Sequence, residues 1–249
     1  MPYDAEFRLS ITRALRDQLA DSMAGLDPDA LSVDNIEALR PRPGVYQLYH
    51  RGQLVYIGKS DIPLPTRLAR HHRKVSGRTG ISPGEMEFKC LYVEEDLSAV
   101  APETLLIQRH RGAGEIPWNH NGFGSNDPGK ERDTTTIKAD HFDTLYPIDL
   151  EWPCRVPMIA PTIGDVLKQL SQMLPYKFRY QAARSPRTQP KEYSLPCPAA
   201  GCVEMTADEL FGVIVETLPR PWQITALPGY VIMYRANKKY ASAVRIYAS

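Results

Sequence analysis

The chain of 249 residues carries 30 Lys and Arg against 29 Asp and Glu, so its net charge at pH 7 is only +1. Because phosphate neutralisation needs clustered basic residues, this balance excludes a protein that coats nucleic acid by bulk charge. No apolar run approaches the ~20 residues of a membrane-spanning helix, and the N-terminus lacks the pattern of a secretory signal. We therefore expect a cytoplasmic protein, and the length suggests two domains.

A helix and a β-hairpin are the first predicted elements. Apolar residues at helical spacing predict an amphipathic helix over residues 5–24. Residues 43–58 instead follow the period-2 pattern of strands, and Arg51-Gly52 interrupts that pattern as a turn. Two antiparallel strands joined there would bring Tyr46 and Tyr56 close together.

A basic helix is predicted to follow the hairpin. It begins near Pro65, which suits a first helical turn, and Leu64 and Leu68 mark its buried side. Arg67 and His71 are four positions apart and therefore share one helix face. The basic residues of this segment predict a phosphate contact or a solvated helix face, and their place directly after the hairpin favours the contact. These residues are Arg67, Arg70, Arg73, Lys74 and Arg78.

A strand and another helix complete the N-terminal part. Alternating residues predict a strand over residues 86–93, and a helix should span about residues 98–111, with Glu103 in its first turn. Trp118-Asn119 follows this helix. The element order predicts an α+β fold in which helices flank a three-stranded antiparallel sheet.

The order of these residues resembles that of the GIY-YIG nuclease superfamily, which cuts DNA with a tyrosine, an arginine and a glutamate-bound divalent metal. The hairpin signatures are Gly44-Val45-Tyr46 and Tyr56-Ile57-Gly58. The stretch from Glu103 through Trp118-Asn119 to the segment 122–129 is similar to the branch that contains type II restriction endonucleases. The resemblance covers residues 5–155 and implies a nuclease domain within residues 1–155. It implies six active-site residues, namely Tyr46, Tyr56, Arg67, His71, Glu103 and Asn119.

Phosphodiester hydrolysis gives each of these residues a predicted role. Glu103 would hold Mg²⁺ or Mn²⁺, since a hard cation can be bound by one carboxylate together with phosphate oxygens and water. Arg67 would bind the phosphate oxygens with both arms of its guanidinium. Either Tyr46 or His71 would be the general base, because a lowered tyrosine pKa or a histidine could each serve. Tyr56 and Lys59 would position the phosphate, and Asn119 would support the site by hydrogen bonding.

Residues 156–249 are predicted to form a second small α+β domain with a 44-residue internal repeat. Thr162 and Thr206 occupy equivalent positions, each followed three residues later by an acid in a capping-box pattern. Because residues 151–249 hold 12 Lys and Arg against 7 Asp and Glu, we expect this domain to contact DNA or a second subunit. Cys197 and Cys202 could supply half of a zinc site, but no nearby pair in the sequence completes it.

The functional prediction is a Mg²⁺-dependent, restriction-type endonuclease that cuts double-stranded DNA at a specific site. Cleavage of a palindrome needs two symmetry-related active sites, so this prediction includes a homodimer or a DNA-induced dimer. A monomeric nicking or structure-specific nuclease in repair or mobile-element biology is the alternative within enzymes. A DNA-binding module without catalysis is the alternative outside them.

Overall fold

The structure is a computed structural model that describes residues 11–93, 107, 116–124, 129–156, 161–181, 189–199, 201 and 204–249. Over these residues the protein is a mixed α+β chain with six α-helices and mainly antiparallel sheets. Its internal contacts divide it into two units. One unit combines Met1–His72 with Pro83–Gly124, and the other combines Arg73–Ser82 with Ser125–Ser249. The sequence-based division between residues 155 and 156 stays a prediction.

The N-terminal unit is built on a four-stranded antiparallel sheet in the order β1-β4-β2-β3. The sequence predicted three of these strands and missed β1, a two-residue strand too short to show a period-2 pattern. Its strands are β1 (Asp29–Ala30), β2 (Gly44–His50), β3 (Gln53–Ser60) and β4 (Met86–Tyr92). Its helices are α1 (Ile11–Ala24), α2 (Val33–Glu37) and α3 (Leu64–Ser76), and the last turn of α3 belongs to the second unit.

The β2–β3 hairpin closes at the predicted turn. Arg51 has a φ of 52° and Gly52 a φ of 75°, and two consecutive positive φ values define the two-residue turn whose twist matches that of paired strands. The resulting register places Tyr46 opposite Gly58 and Leu48 opposite Tyr56. Both tyrosine side chains therefore lie on one face of the sheet.

The two faces of this sheet have different partners. Val45 and Ile57 pack with Ala20 and Met23 of α1. On the opposite face the Tyr46 ring meets His71 of α3 at a centroid distance of 5.4 Å. The predicted buried side of α3 is confirmed, since its apolar residues Leu64, Leu68 and Val75 have no exposed surface.

The C-terminal unit contains a second four-stranded sheet in the order β10-β8-β9-β6, in which only the β6–β9 pair is parallel. A two-stranded sheet joins β5 to β7. The strands are β5 (Pro153–Cys154), β6 (Lys177–Tyr180), β7 (Met205–Thr206), β8 (Trp222–Ala226), β9 (Tyr230–Arg235) and β10 (Arg245–Ala248). The helices are α4 (Phe142–Leu145), α5 (Ile163–Met173) and α6 (Ala207–Thr217).

Helices α5 and α6 begin in the same way. Thr162 and Thr206 each accept a hydrogen bond from the backbone of the acid three residues on, and each acid side chain accepts from the backbone of its threonine. Such capping boxes satisfy amide groups that the first helical turn leaves unpaired. The apolar faces of both helices join the main core of the unit, which also contains Cys197. Cys202 lies outside the described residues.

None of the described helices combines the length and the apolar character that crossing a bilayer requires.

Candidate active site

The Tyr46 hydroxyl group is the centre of a buried polar cluster in the N-terminal unit. It lies 2.7 Å from Nε2 of His71 and accepts a hydrogen bond from Nε of Arg67 at 3.1 Å. Tyr46 has no exposed surface and His71 is 4% exposed, whereas Arg67 is partly exposed. The cluster therefore joins a buried phenol to a cation that solvent can reach.

The fold brings these three groups together from one strand and one helix. Arg67 and His71 are one helical turn apart on α3, a rise of about 6 Å, so both side chains reach the same face of the sheet. Tyr46 lies on β2 and points to that face. The shared face that the sequence predicted is thus the face that meets Tyr46.

Tyr56 lies beside this cluster on β3. Its ring centroid is 6.1 Å from that of Tyr46 and 5.6 Å from that of His71. The close approach depends on Gly58 and Gly124, because a Cβ atom at either position would overlap a tyrosine ring or hydroxyl group. The glycines of this site therefore provide space for the aromatic rings.

Phe123 is a site residue that the sequence did not identify. Its ring stacks on His71 at a centroid distance of 4.9 Å and an interplanar angle of 14°, and it meets Tyr56 edge-on at 5.1 Å. Phe123 is 1% exposed and also packs on Trp118. The sequence included Phe123 only in the segment 122–129 of the resemblance, whereas in the structure its buried ring packs against the histidine ring. The sequence signal that could have identified Phe123 was a single aromatic residue between two glycines, Gly122 and Gly124.

Asn119 forms two hydrogen bonds with one residue of the central hairpin. Its Oδ1 accepts from the backbone N–H of Ile57 at 2.8 Å, and its Nδ2 donates to the backbone carbonyl of Ile57 at 2.8 Å. Ile57 adjoins both Tyr56 and Gly58 in β3. Asn119 is buried and holds this strand by its backbone.

The two tyrosines stabilise the charged form of Arg67. Burial by itself lowers the pKa of its guanidinium, but the electrostatic and hydrogen-bonding effects of Tyr46 and Tyr56 outweigh burial, so the pKa is raised. By reciprocity the guanidinium favours the anionic form of a neighbouring phenol. The pair therefore places a cation beside a phenol oxygen.

The other basic residues predicted to bind phosphate are dispersed. Lys59 pairs with Val45 across the hairpin, so strand alternation directs it to the face opposite Tyr56, and its Nζ lies 3.1 Å from Oδ1 of Asp61. Period-2 counting in the sequence would have indicated this placement. Arg70 is exposed on α3.

The remaining three basic residues have structural contacts within the C-terminal unit. Arg73 donates to the carbonyl oxygens of Gln172 and Leu174 at the end of α5. The Nζ of Lys74 lies 5.1 Å from the ring centroid of Phe142. Their prediction as phosphate ligands did not allow for these long-range partners.

Arg78 requires the clearest correction. Its side chain is only 3% exposed, and its Nη2 forms an ion pair with Asp143 at 2.9 Å. Its Nη1 donates to the carbonyl oxygens of Tyr146 and Pro228 at 3.1 and 3.0 Å. A guanidinium that is buried and bonded in this way has no surface for DNA, so Arg78 is a structural residue.

In comparisons by sequence, no protein family profile and no curated protein matches the chain.

Glu103, the predicted metal ligand, lies outside the described residues. Within the described part, no group of three or more His, Cys, Asp and Glu side chains is arranged to hold a metal ion. The single-carboxylate site predicted from the sequence does not require such a group.

Proposed function

We propose that the chain is a DNA endonuclease of restriction type, with a GIY-YIG domain that hydrolyses phosphodiester bonds around Tyr46. The observation that supports this proposal best is the hydroxyl group shared by a histidine and an arginine. A phenol placed in this way is a candidate base, and the partly exposed guanidinium beside it is a candidate phosphate ligand. The resemblance in residue order supplies the substrate class.

Tyr46 acts as the base in this proposal, and His71 receives its proton. Arg67 can only donate, so it occupies one lone pair of the Tyr46 oxygen. In this scheme the phenol O–H donates to Nε2 of a neutral His71 at 2.7 Å. Transfer of that proton leaves a phenolate beside Arg67, ready to accept a proton from the attacking water.

Arg67 has two tasks in this scheme. It stabilises the phenolate through Nε, and the partly exposed part of its guanidinium would contact the oxygens of the scissile phosphate. Because the charge on the phosphate increases in the transition state, a fixed cation there contributes more than it does in the ground state. A lysine ammonium could contact either the phenolate or the phosphate, but it could not bind both together.

Glu103 remains the proposed ligand of Mg²⁺ or Mn²⁺. Such an ion would act as a Lewis acid on the phosphate and its leaving oxygen. The side chains described above would perform the steps assigned to the protein, which are to orient the phosphate, hold the water and move its proton. Tyr56 and Asn119 support these steps through the ring packing and the strand backbone.

Digestion of plasmid DNA by the purified protein with Mg²⁺ tests the proposal. Discrete fragments are expected for a restriction enzyme, whereas nicks or smears indicate the nicking or structure-specific alternative. Retained DNA binding without cleavage indicates the inactive module. Glu103→Ala should abolish cleavage while leaving DNA binding and the unfolding midpoint intact; joint loss of all three would make Glu103 a structural residue.

The proposed enzyme acts on double-stranded DNA as a homodimer or assembles as one on its site. We further propose that residues 156–249 form a domain with a 44-residue repeat that contacts DNA, the second subunit or both. Mass measurement by light scattering, with and without a cleavable duplex, distinguishes these states. A monomer that cuts both strands at one site would contradict the dimer.

A further inference from the structure

The loop between β9 and β10 lies on the face of the C-terminal sheet that is opposite to helix α6. Ile224 of β8 pairs with Tyr247, whose ring meets Phe211 of α6 at a centroid distance of 5.7 Å, so Ile224 faces the helix. Its neighbour Gln223 therefore points to the opposite face. The side chain of Gln223 accepts from the backbone N–H of Lys238 at 3.0 Å and donates to its carbonyl oxygen at 2.7 Å.

A second attachment fixes the end of this loop. The hydroxyl group of Ser242 accepts from the backbone N–H of Ile137 at 3.0 Å and donates to the carbonyl oxygen of Thr135 at 3.3 Å. Residues 236–244 are thus held both by the sheet below them and by the segment beside them. The loop therefore presents its side chains from a defined backbone.

Three exposed lysines belong to this face, namely Lys130, Lys238 and Lys239. Two of them lie over tyrosine rings, since Nζ of Lys130 is 4.6 Å from the ring centroid of Tyr234 and Nζ of Lys238 is 5.6 Å from that of Tyr240. Both rings pack on buried apolar residues of the sheet. Within the part of the chain that the structure describes, none of the three lysines forms an ion pair.

Acidic residues are concentrated on the other side of the sheet. Helix α6 contains three acids and no basic residue, whereas residues 236–244 contain two lysines and no acid. Near the loop, Asp133 is buried and is bonded to Arg179 and to the Tyr230 hydroxyl group, so its charge is compensated. The three lysines outnumber Glu131, the exposed acid next to Lys130. The two sides of the sheet therefore differ in charge.

This charge distribution is complementary to a polyanion. Duplex DNA carries one negative charge per about 1.7 Å of its axis, and lysines that neutralise its phosphates release bound counterions. A lysine that lies over a ring keeps its three N–H groups as donors, because the ring attracts the ammonium charge through its face. The tyrosines also limit the conformations of these long side chains, which reduces the entropy lost on binding.

We propose that the face formed by Lys130, Lys238 and Lys239 binds backbone phosphates of duplex DNA. This inference rests on the proposed function and assigns its substrate to one surface of the C-terminal unit. Phosphate contacts of this kind fix the position of a duplex and carry no sequence information. The three lysines are therefore positioning residues.

Salt dependence of DNA binding provides the test. Binding of the full chain to a duplex oligonucleotide is measured in EDTA between about 50 and 200 mM NaCl for the wild type and for Lys238→Gln/Lys239→Gln. Loss of two phosphate contacts should lower the slope of log affinity against log salt by about 1.8, so the fall in affinity over this range becomes about 12-fold smaller. Lys238→Arg/Lys239→Arg should keep the slope because both charges remain.

Lys168→Gln/Lys191→Gln is the matched control. Both lysines are exposed in the same unit but lie on the helix side, Lys168 on α5 and Lys191 in a short turn that contacts α5. This control variant should bind with the wild-type slope and remove the same amount of charge. All variants should keep the wild-type unfolding midpoint, because the substituted side chains are exposed.

Three results would overturn the DNA surface while leaving the nuclease proposal intact, provided that the wild type cuts plasmid DNA. They are an unchanged slope in Lys238→Gln/Lys239→Gln, an equal loss in the arginine variant, and an equal loss in the control. An unchanged slope with an altered mass of the DNA-free variant in light scattering would assign this face to the second subunit instead. A wild-type protein that neither binds nor cuts DNA would overturn the proposed function and this inference with it.

Discussion

Substituting Gly58 by alanine should disable the candidate site without removing any of its functional groups. Gly58 lies opposite Tyr46 in the hairpin, and its missing side chain leaves the space that the tyrosine rings occupy. A Cβ atom there would stand 2.8 Å from Cε1 of Tyr56 and closer still to the phenol end of Tyr46. Both rings are buried, so neither can move into solvent.

The size of the effect follows from this overlap. Ordinary contact begins near 3.4 Å, so the rings must shift on the order of 1 Å to admit the methyl group. Overpacking of this kind costs about 1–3 kcal/mol of folding stability. A displacement of about 1 Å in a reacting group costs about 100-fold in rate, equivalent to roughly 2.7 kcal/mol of activation free energy.

Two measurements check the prediction, namely the single-turnover rate of plasmid cleavage and the denaturant midpoint of unfolding. Gly212→Ala is the matched control, since Gly212 lies inside α6 and a Cβ atom added there would have no atom within 4 Å. It should raise stability by roughly 0.5–1 kcal/mol through helix propensity and leave cleavage unchanged. If Gly58→Ala cleaved DNA at the wild-type rate while Tyr46→Phe was inactive, the exact position of the Tyr46 ring would not be required for cleavage.

Three other substitutions test separate parts of the structure. Arg67→Lys should lose nearly as much activity as Arg67→Ala, because a point charge cannot bind the phenol and the phosphate together; near wild-type single-turnover rates for the lysine variant would count against the dual contact. Tyr46→Phe should lower the cleavage rate by about 10²–10⁴-fold at every pH. His71→Ala should lose less and recover as pH rises, since the proton of Tyr46 must then pass to solvent; a pH-independent defect in rate profiles would exclude the relay. Arg78→Ala should lower unfolding free energy by about 3–5 kcal/mol, because it removes a buried guanidinium that pairs with Asp143 and bonds to two carbonyl oxygens; an unchanged urea midpoint would contradict a structural role.

The residues on α3 show which contacts the local spacing of residues predicts and which it does not. Spacing along the helix was sufficient to predict that Arg67 and His71 share a face and that Leu64 and Leu68 are buried. Spacing gave no information about the last turn, where Arg73 bonds to carbonyl groups about one hundred residues away in sequence. A basic side chain near a predicted site therefore has two possible partners, a phosphate or a helix terminus, and only tertiary contacts distinguish them.

The sequence by itself determined the elements that depend on interactions between residues close together in the chain. Period-2 alternation and the Arg51-Gly52 turn specified the hairpin, and side-chain to backbone hydrogen bonds over three residues specified the starts of α5 and α6. Only the tertiary structure decided that the Tyr46 hydroxyl group meets both Arg67 and His71, and that Phe123 supports the imidazole ring. The physical reason is that hydrogen-bond pairing and ring packing depend on distances between segments far apart in sequence. Residue periodicity contains no measure of those distances.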